Sequence, residues 1–223
     1  MPSPRIDISA RRRLARVCAL LLACASSYLL ADDRQASATQ QVAAAVLQQD
    51  AWVGEARLCP SQLMPARAAA RSPSATACTT PSSACLARCE SGEGEACYWL
   101  GQGLQKQHAP DPAYETLFQR SCKLGIMSGC TNRAAGMMHE QSDSTASLQC
   151  ANRTFEKACA ADDPWACTML GFNLNGGLGV ARDPERALEV LRKSCKFGTD
   201  DPACTAAQNL KQQIMEDRAA SKK

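Results

Sequence analysis

The sequence predicts an all-α protein: an α/α superhelix, or solenoid, of about four disulfide-stapled helix-turn-helix repeats. Cysteines recur in pairs of near-constant spacing, and these pairs are Cys89 with Cys97, Cys122 with Cys130, Cys159 with Cys167, and Cys195 with Cys204. The first cysteines of successive pairs lie 33, 37 and 36 residues apart, a period typical of helical repeats. Ala-rich segments and few β-branched runs favour helices over sheets.

The spacing within a pair restricts its geometry. Cys159 and Cys167 are eight residues apart, a separation of ~12 Å along one continuous helix. A disulfide needs Cα atoms ~4.4–6.8 Å apart, so if the two residues are bonded the chain must turn back between them. Residues 160–164 (AADDP) have suitable turn chemistry. We therefore predict two antiparallel helices in each unit, stapled near their shared turn.

The N-terminal residues, 1–31, are predicted to be a signal peptide or a membrane anchor. Arginines at Arg11–Arg13 precede the apolar run Val17–Ala31, the order of a charged n-region and an apolar h-region. A cleaved signal is the favoured interpretation. The alternatives are an uncleaved anchor formed by residues 14–31 and a lipoprotein, because residues 21–24 (LLAC) loosely resemble a bacterial lipobox.

Cysteine content agrees with export. The chain has 14 cysteines in 223 residues, and regular pairing of so many thiols is typical of an oxidising compartment. We expect an exported protein, periplasmic or extracellular, with a membrane-anchored form or a lipoprotein as the alternatives.

Removing residues 1–31 takes away five arginines and one aspartate, which leaves 20 basic and 21 acidic residues. The mature chain therefore offers no basic patch, and we expect no nucleic acid partner and membrane contact only through residues 14–31.

Four further cysteines, Cys59, Cys78, Cys85 and Cys150, are candidates for additional disulfides. Cys59 and Cys78 bracket a Pro-rich stretch and are candidates to pair with each other. Cys150 has no counterpart in the other repeats, so it is either a free buried thiol or the partner of a non-repeat cysteine. The spacing Cys85-x3-Cys89 suits half of a zinc site, but Cys85 stands at the bulky apolar position of its unit, which favours a core or disulfide role. We predict no metal and no cofactor.

The chain divides as follows in sequence order. Residues 32–81 are predicted to form an N-terminal capping helix and a Pro/Ala/Ser-rich linker. The favoured interpretation packs the helix on the first repeat, and a peptide-like arm that binds elsewhere is the alternative. Residues 82–210 form the repeats, in units of about 82–108, 114–140, 144–175 and a fourth unit that ends near Cys204. Residues 211–223 are predicted to be a C-terminal cap and a frayed tail, with a polar helix from Thr205 to about Ala219.

The second unit departs from the others. Arg133 stands where units one and three have Leu100 and Leu170, and the sequence MMHEQSDS replaces the Gly-rich connector. Between the third and fourth units, by contrast, the Gly-rich connector is kept, and Asp183 and Pro184 are predicted to restart a helix after it.

The connector and the cysteine spacing together resemble a known family. The stretch GLGVARDPERA followed by FG resembles the Sel1-like repeat, a relative of the tetratricopeptide repeat, and the eight-residue staple is similar to that of the Helicobacter cysteine-rich protein branch. The resemblance covers roughly residues 82–210, and the residues that carry its signature are Gly171, Gly177, Gly179, Asp183, Pro184 and Ala187. It implies a right-handed superhelix whose concave face binds proteins. For some cysteine-rich members it also implies penicillin binding and weak β-lactamase activity.

The sequence offers little catalytic chemistry. No serine has a lysine three residues later, as a serine β-lactamase of the usual kind requires. The two histidines, His108 and His139, are predicted to be exposed in connectors, and we predict no catalytic residue. We expect a scaffold that binds an unknown protein or peptide through its concave helical surface. The alternative is a penicillin-binding protein or weak β-lactamase with a β-lactam ligand.

Overall fold

The computed structural model describes residues 35–66, 77–140 and 144–221. Every regular element in these ranges is a helix, so the predicted all-α class is confirmed. The predicted signal peptide or anchor and the last two lysines of the tail lie outside the described residues.

Eleven α-helices follow one another in the described ranges, and two short 3-10 helices join them, at Ala77–Thr79 and Arg192–Cys195. The helices are α1 (residues 35–47), α2 (Asp50–Ala56), α3 (Pro60–Leu63), α4 (Ser83–Glu90), α5 (Gly94–Lys106), α6 (Asp111–Lys123), α7 (Met127–Glu140), α8 (Thr145–Ala160), α9 (Pro164–Gly176), α10 (Pro184–Leu191) and α11 (Pro202–Ala220). From α4 onward, each helix packs against the next one along the chain.

Local sequence explains where several helices begin. The side chain of Asp163 accepts a hydrogen bond from the backbone N–H of Ala166 at 2.9 Å, and Pro164 then occupies the first turn of α9. Asp183 and Pro184 start α10 in the same way, as the repeat signature predicts. At α6 the N-cap is Pro110, and Asp111 is already helical.

Four disulfides staple successive helix pairs at their turns. They join Cys89 to Cys97, Cys122 to Cys130, Cys159 to Cys167 and Cys195 to Cys204, with Cα–Cα distances of 4.7, 4.5, 4.7 and 4.4 Å. The stapled pairs are α4 with α5, α6 with α7, α8 with α9, and the 3-10 turn after α10 with α11. Each bond therefore lies between partners eight or nine residues apart, on either side of a turn.

Two further disulfides correct one hypothesis from the sequence. Cys59 is bonded to Cys150 and Cys78 to Cys85, so the pairing of Cys59 with Cys78 is wrong, as is a free thiol at Cys150. The physical reason is the path of the chain. The segment after α1 crosses to α8, which puts the Cα atoms of Cys59 and Cys150 at 5.7 Å, while Cys78 remains near the start of α4.

Residues 35–66 contain two segments that pack against different helices. Helix α1 packs on the first stapled pair, since Val42 and Val46 share a buried cluster with Cys85 and Leu100, as expected of a cap. Residues 50–66, which we call the arm, instead pack over α6, α7 and α8. Part of the predicted linker is thus a packed helix, α3.

The remaining signature residues take up specific positions. Gly177 ends α9 at φ 72°, in the left-handed region that favours glycine. A Cβ atom at Gly171 would lie 2.6 Å from Leu191 Cδ2, so α9 and α10 pack too closely there for a side chain. Gly179 also has a positive φ, and Ala187 is fully buried. The predicted helix from Thr205 to about Ala219 is present, but it begins three residues earlier, because α11 is continuous from Pro202, through Cys204, to Ala220.

Candidate functional site

A polar cleft of about 280 Å³ lies between α5, α6 and α7 and is open to solvent. We call it the polar cleft. Its lining residues are Gln102, Gln105, Asp111, Tyr114, Glu115, Asn132, Ala135, Gly136, His139 and Glu140. They supply three amide side chains and three carboxyl groups, so the cleft presents hydrogen-bonding groups and negative charge.

Arg133 is bonded to two of the carboxyl groups that line the cleft. Its Nη1 donates to Glu115 Oε2 at 3.1 Å and to Glu140 Oε1 at 2.8 Å, and its Nη2 donates to Glu140 Oε2 at 3.3 Å. Its Nε and Nη2 donate to the main-chain carbonyl oxygen of Ala56 at 3.1 and 3.0 Å. A guanidinium has five N–H donors, so these contacts use its full capacity.

Glu115 is the most buried carboxyl group of the cleft, at 6% exposed. Burial raises its pKa from 4.5 to about 7, against the opposing effect of Arg133, and the charges of Glu140 and Asp111 raise it further. Glu115 therefore changes its charge close to neutral pH, unlike an ordinary surface carboxyl group.

Tyr114 borders the cleft next to Asp111. Its hydroxyl donates to Asp111 Oδ1 at 2.6 Å. Burial raises the pKa of Tyr114, and the bond to Asp111 and nearby carboxylates raise it further. The phenol thus stays protonated at physiological pH and holds the Asp111 carboxylate in place.

The next helix pair shows the same positions in a closed arrangement. Counted from the staple cysteines, Glu115 and Gly136 correspond to Asn152 and Asn173. Asn173 Nδ2 donates to Asn152 Oδ1 at 2.8 Å, so these two side chains fill the space between their helices. At the cleft, Gly136 has no side chain, and a Cβ atom there would collide with the Glu115 carboxylate. The Glu115 carboxylate therefore occupies the space beside Gly136 that a side chain at that position would take.

A second feature is the face that the arm covers. Gln119 Nε2 donates to Glu55 O at 3.0 Å, and Lys157 Nζ donates to Ser61 O at 2.8 Å. With the bonds of Arg133 to Ala56, these contacts hold the arm by its main chain. The disulfide from Cys59 to Cys150 fixes it covalently.

The structure separates the residues that the sequence singled out. His139 lies in the last turn of α7 and borders the polar cleft, whereas His108 lines a different cavity, of about 460 Å³, next to α1. Both are exposed, as predicted, but His139 belongs to a helix and not to a connector. Glu115 was not predicted as a site residue, and its only indication in the sequence is the substitution of leucine by Arg133, to which it is bonded.

Two features are absent from the described ranges. None of their helices combines the length and the apolar character needed to cross a membrane. Among the same residues, no group of three or more His, Cys, Asp or Glu side chains is arranged to hold a metal ion.

Comparison with protein-family models, with curated proteins and with solved structures finds no match for this chain.

Proposed function

We propose that the protein is an exported solenoid of disulfide-stapled helix-turn-helix repeats that binds a segment of a partner polypeptide in the polar cleft. The observation that carries this proposal is the cleft itself, a recess bordered by three helices and lined with hydrogen-bonding groups. Stacking of four stapled pairs in chain order supports the solenoid architecture.

Rigidity favours binding at this place. The pair α6–α7 is stapled by Cys122 and Cys130, and Arg133 ties α7 to α6 through Glu115. Binding to such a preformed surface costs little ordering of the protein, so more of the contact energy contributes to affinity.

The arm decides which surface is free. The arm covers a face of α6 and α8, and the disulfide from Cys59 to Cys150 keeps that face closed to an external peptide. The arm also indicates how this protein contacts a polypeptide, since Gln119 holds it by a main-chain carbonyl oxygen. Gln102, Gln105 and Asn132 offer amides of the same kind in the open cleft.

The disulfides also indicate the compartment in which the protein works. The six disulfides of the described residues indicate an oxidising, exported environment. We propose the periplasm or the cell exterior, reached through the N-terminal signal.

The alternative prediction of β-lactam binding gains no support from the cleft, because its carboxyl groups would repel the carboxylate that β-lactams carry.

The test is selection of peptides from a random display library on the oxidised protein, followed by affinity measurement. We expect binding to weaken about tenfold or more in Asn132→Arg, which places a large side chain in the cleft. The matched control is Asn209→Arg, at an exposed position of α11, which should leave affinity unchanged. Equal affinity of both variants and the parent protein would place the binding surface elsewhere, and failure to select any peptide would refute peptide binding.

A further inference from the structure

We propose that the last staple, the disulfide of Cys195 with Cys204, is a thiol–disulfide exchange site that an external dithiol opens by attack at Cys195. This inference concerns the chemistry of the scaffold and does not depend on what the polar cleft binds. Exchange at a disulfide is favoured by an accessible sulfur and by a leaving sulfur whose thiolate is stabilised. The last staple meets both conditions.

Accessibility separates the disulfides of the described ranges. All of their bonded cysteines are buried except Cys59 and Cys195, which are half-buried. In the preceding staple, by contrast, Cys159 is only 2% exposed and Cys167 is fully buried. Cys195 ends a short 3-10 helix, whereas Cys159 lies within the regular helix α8. A thiolate from solvent therefore has better access to Cys195 than to Cys159.

The leaving sulfur of the last staple has a hydrogen-bond donor. Gln208 Nε2 donates to Cys204 Sγ at 3.4 Å and lies 4.0 Å from Cys195 Sγ. An N–H donor stabilises a thiolate more than it stabilises a disulfide sulfur, because hydrogen bonds to charged groups are the stronger ones. The bond from Gln208 thus favours departure of the Cys204 sulfur as a thiolate.

The position of Gln208 is occupied by small residues in the other units. Counted from the second cysteine of each staple, it corresponds to Gly101, Ala134 and Gly171, whose side chains offer no donor. The second cysteine lies within the first four residues of its helix in every staple, so the helix dipole acts on all of them alike. Gln208 therefore distinguishes the leaving sulfur of the last staple.

The disulfide of the arm is accessible at Cys59 but has a poor leaving sulfur. Attack there would release Cys150, which lies within α8 and whose Sγ is 3.7 Å from Met137 Sδ. Burial in apolar surroundings disfavours a thiolate. The bonds of Arg133 and Lys157 to the main chain of the arm also keep the two sulfurs close together, so this disulfide would re-form.

The disulfide of Cys78 with Cys85 has the opposite combination. Arg88 Nη1 donates to Cys78 Sγ at 3.4 Å, so a thiolate would be stabilised there. However, Cys78 and Cys85 are 0% and 5% exposed, and an attacking thiolate has little access to either. Among the disulfides of the described ranges, the last staple is the one that combines a half-buried sulfur with a donor to its partner.

The exchange proceeds in two steps that balance. In the first, a thiolate of the dithiol forms a bond to Cys195 Sγ, the bond between Cys195 and Cys204 breaks, and its electron pair leaves with Cys204 Sγ. In the second, the other thiolate of the dithiol attacks its own partner sulfur in the mixed disulfide and releases Cys195. The dithiol is oxidised by two electrons, the staple is reduced, and the two thiol protons of the dithiol pass to the cysteines.

The place of the last staple in the fold allows it to open while the other units stay folded. Helix α11 is the final helix of the described ranges and packs on α9, α10 and the 3-10 helix. Thr168 Oγ1 donates to Ala203 O at 3.1 Å, so a hydrogen bond still ties the start of α11 to α9 after reduction. Reduction therefore converts α11 from a covalently fixed cap into one that is held by packing, and terminal elements open most easily.

The experiment is partial reduction of the full oxidised protein with limiting dithiothreitol under native conditions. The thiols that form are alkylated with N-ethylmaleimide and located by peptide mass spectrometry. We expect Cys195 and Cys204 to be labelled about tenfold faster than Cys159 and Cys167. Equal rates, or earlier labelling of any other bonded pair, would overturn the proposal.

Single-cysteine variants test which sulfur is attacked. The thiol of Cys195 in Cys204→Ala should react with dithiodipyridine about tenfold faster than the thiol of Cys204 in Cys195→Ala. Both variants lack the staple, so the effect of losing it is the same in the two measurements. Faster reaction at Cys204 would overturn attack at Cys195.

A third variant tests the donor. Gln208→Ala, which installs the residue that unit two has as Ala134, should slow reduction of the last staple about threefold. The matched control is Gln213→Ala, which removes another exposed glutamine of α11 and should leave the rate unchanged. Equal rates in Gln208→Ala and the parent protein would refute the stabilisation of Cys204 on which the proposal depends.

Discussion

Arg133 on α7 donates two hydrogen bonds to the main-chain carbonyl oxygen of Ala56, from Nε at 3.1 Å and from Nη2 at 3.0 Å. The same guanidinium contacts Glu115, which lines the polar cleft. One buried side chain thus connects the arm on one side of α7 to the cleft on the other. A change at Arg133 is therefore expected to affect both features.

We predict that Arg133→Leu, which restores the leucine of units one and three, destabilises the protein by about 3–5 kcal/mol. The reason is that a buried carboxyl group and a buried carbonyl oxygen lose their partner together. The measurement is denaturant unfolding with the disulfides intact. Arg186→Leu is the matched control, because the pair of Arg186 with Glu156 is nearly half exposed on both sides and should contribute about 0–1 kcal/mol. Equal losses in the two variants would contradict the buried network.

Alanine substitutions at two glycines should change the stability of the protein in opposite directions. Gly136→Ala should destabilise by about 1–3 kcal/mol, because the added methyl group collides with the Glu115 carboxylate. Gly54→Ala in α2 should stabilise by about 0.5–1 kcal/mol, because a Cβ atom there meets nothing within 4 Å and alanine favours the helix. Thermal unfolding of both variants tests this, and stabilisation by Gly136→Ala would show that the carboxylate moves freely.

The disulfide of the arm should contribute more than a turn staple. Cys59 and Cys150 are 91 residues apart, whereas Cys159 and Cys167 are eight apart. Chain entropy then predicts a loss of roughly 4 kcal/mol for Cys59→Ala with Cys150→Ala and roughly 2.5 kcal/mol for removal of the staple. The measurement is denaturant unfolding, combined with the rate of tryptic cleavage after Arg57. That cleavage should accelerate only in the variant without the arm disulfide, and unchanged cleavage there would show that hydrogen bonds alone hold the arm.

Stability should fall as the pH rises through neutrality. Glu115 has a pKa of about 7 in the folded protein and an ordinary value of 4.5 otherwise. Between these values the native state holds more protons than the unfolded state, so the stabilising contribution of Glu115 is complete below pH 4.5 and is lost as the pH rises through 7. The loss should amount to about 2–4 kcal/mol.

The pH prediction is tested by unfolding wild type and Glu115→Gln between pH 5 and pH 8. The difference in their free energies of unfolding should change by the amount given, because glutamine does not titrate. Parallel profiles would mean that Glu115 is ionised with an ordinary pKa in the folded protein.

The second unit shows how much of the site could be predicted from the sequence alone. The replacement of Leu100 and Leu170 by Arg133 marks this unit as different. A guanidinium in a core position requires partners, yet nothing in the sequence indicates that they are Glu115, Glu140 and the carbonyl oxygen of Ala56. Those contacts join residues from 7 to 77 positions apart with no repeating pattern.

The amino-acid sequence was sufficient to predict the helical class, the short disulfide staples and the start of α10. These features are local, because two cysteines eight residues apart can form a disulfide across one turn, and an Asp-Pro pair caps the helix that follows it. Three contacts could be seen only in the folded chain: the bond of Cys59 to Cys150, the packing of the arm over α6 to α8, and the packing of the Glu115 carboxylate against Gly136. Such contacts depend on the path of the whole chain, because residues far apart in sequence become neighbours only when the helices have packed.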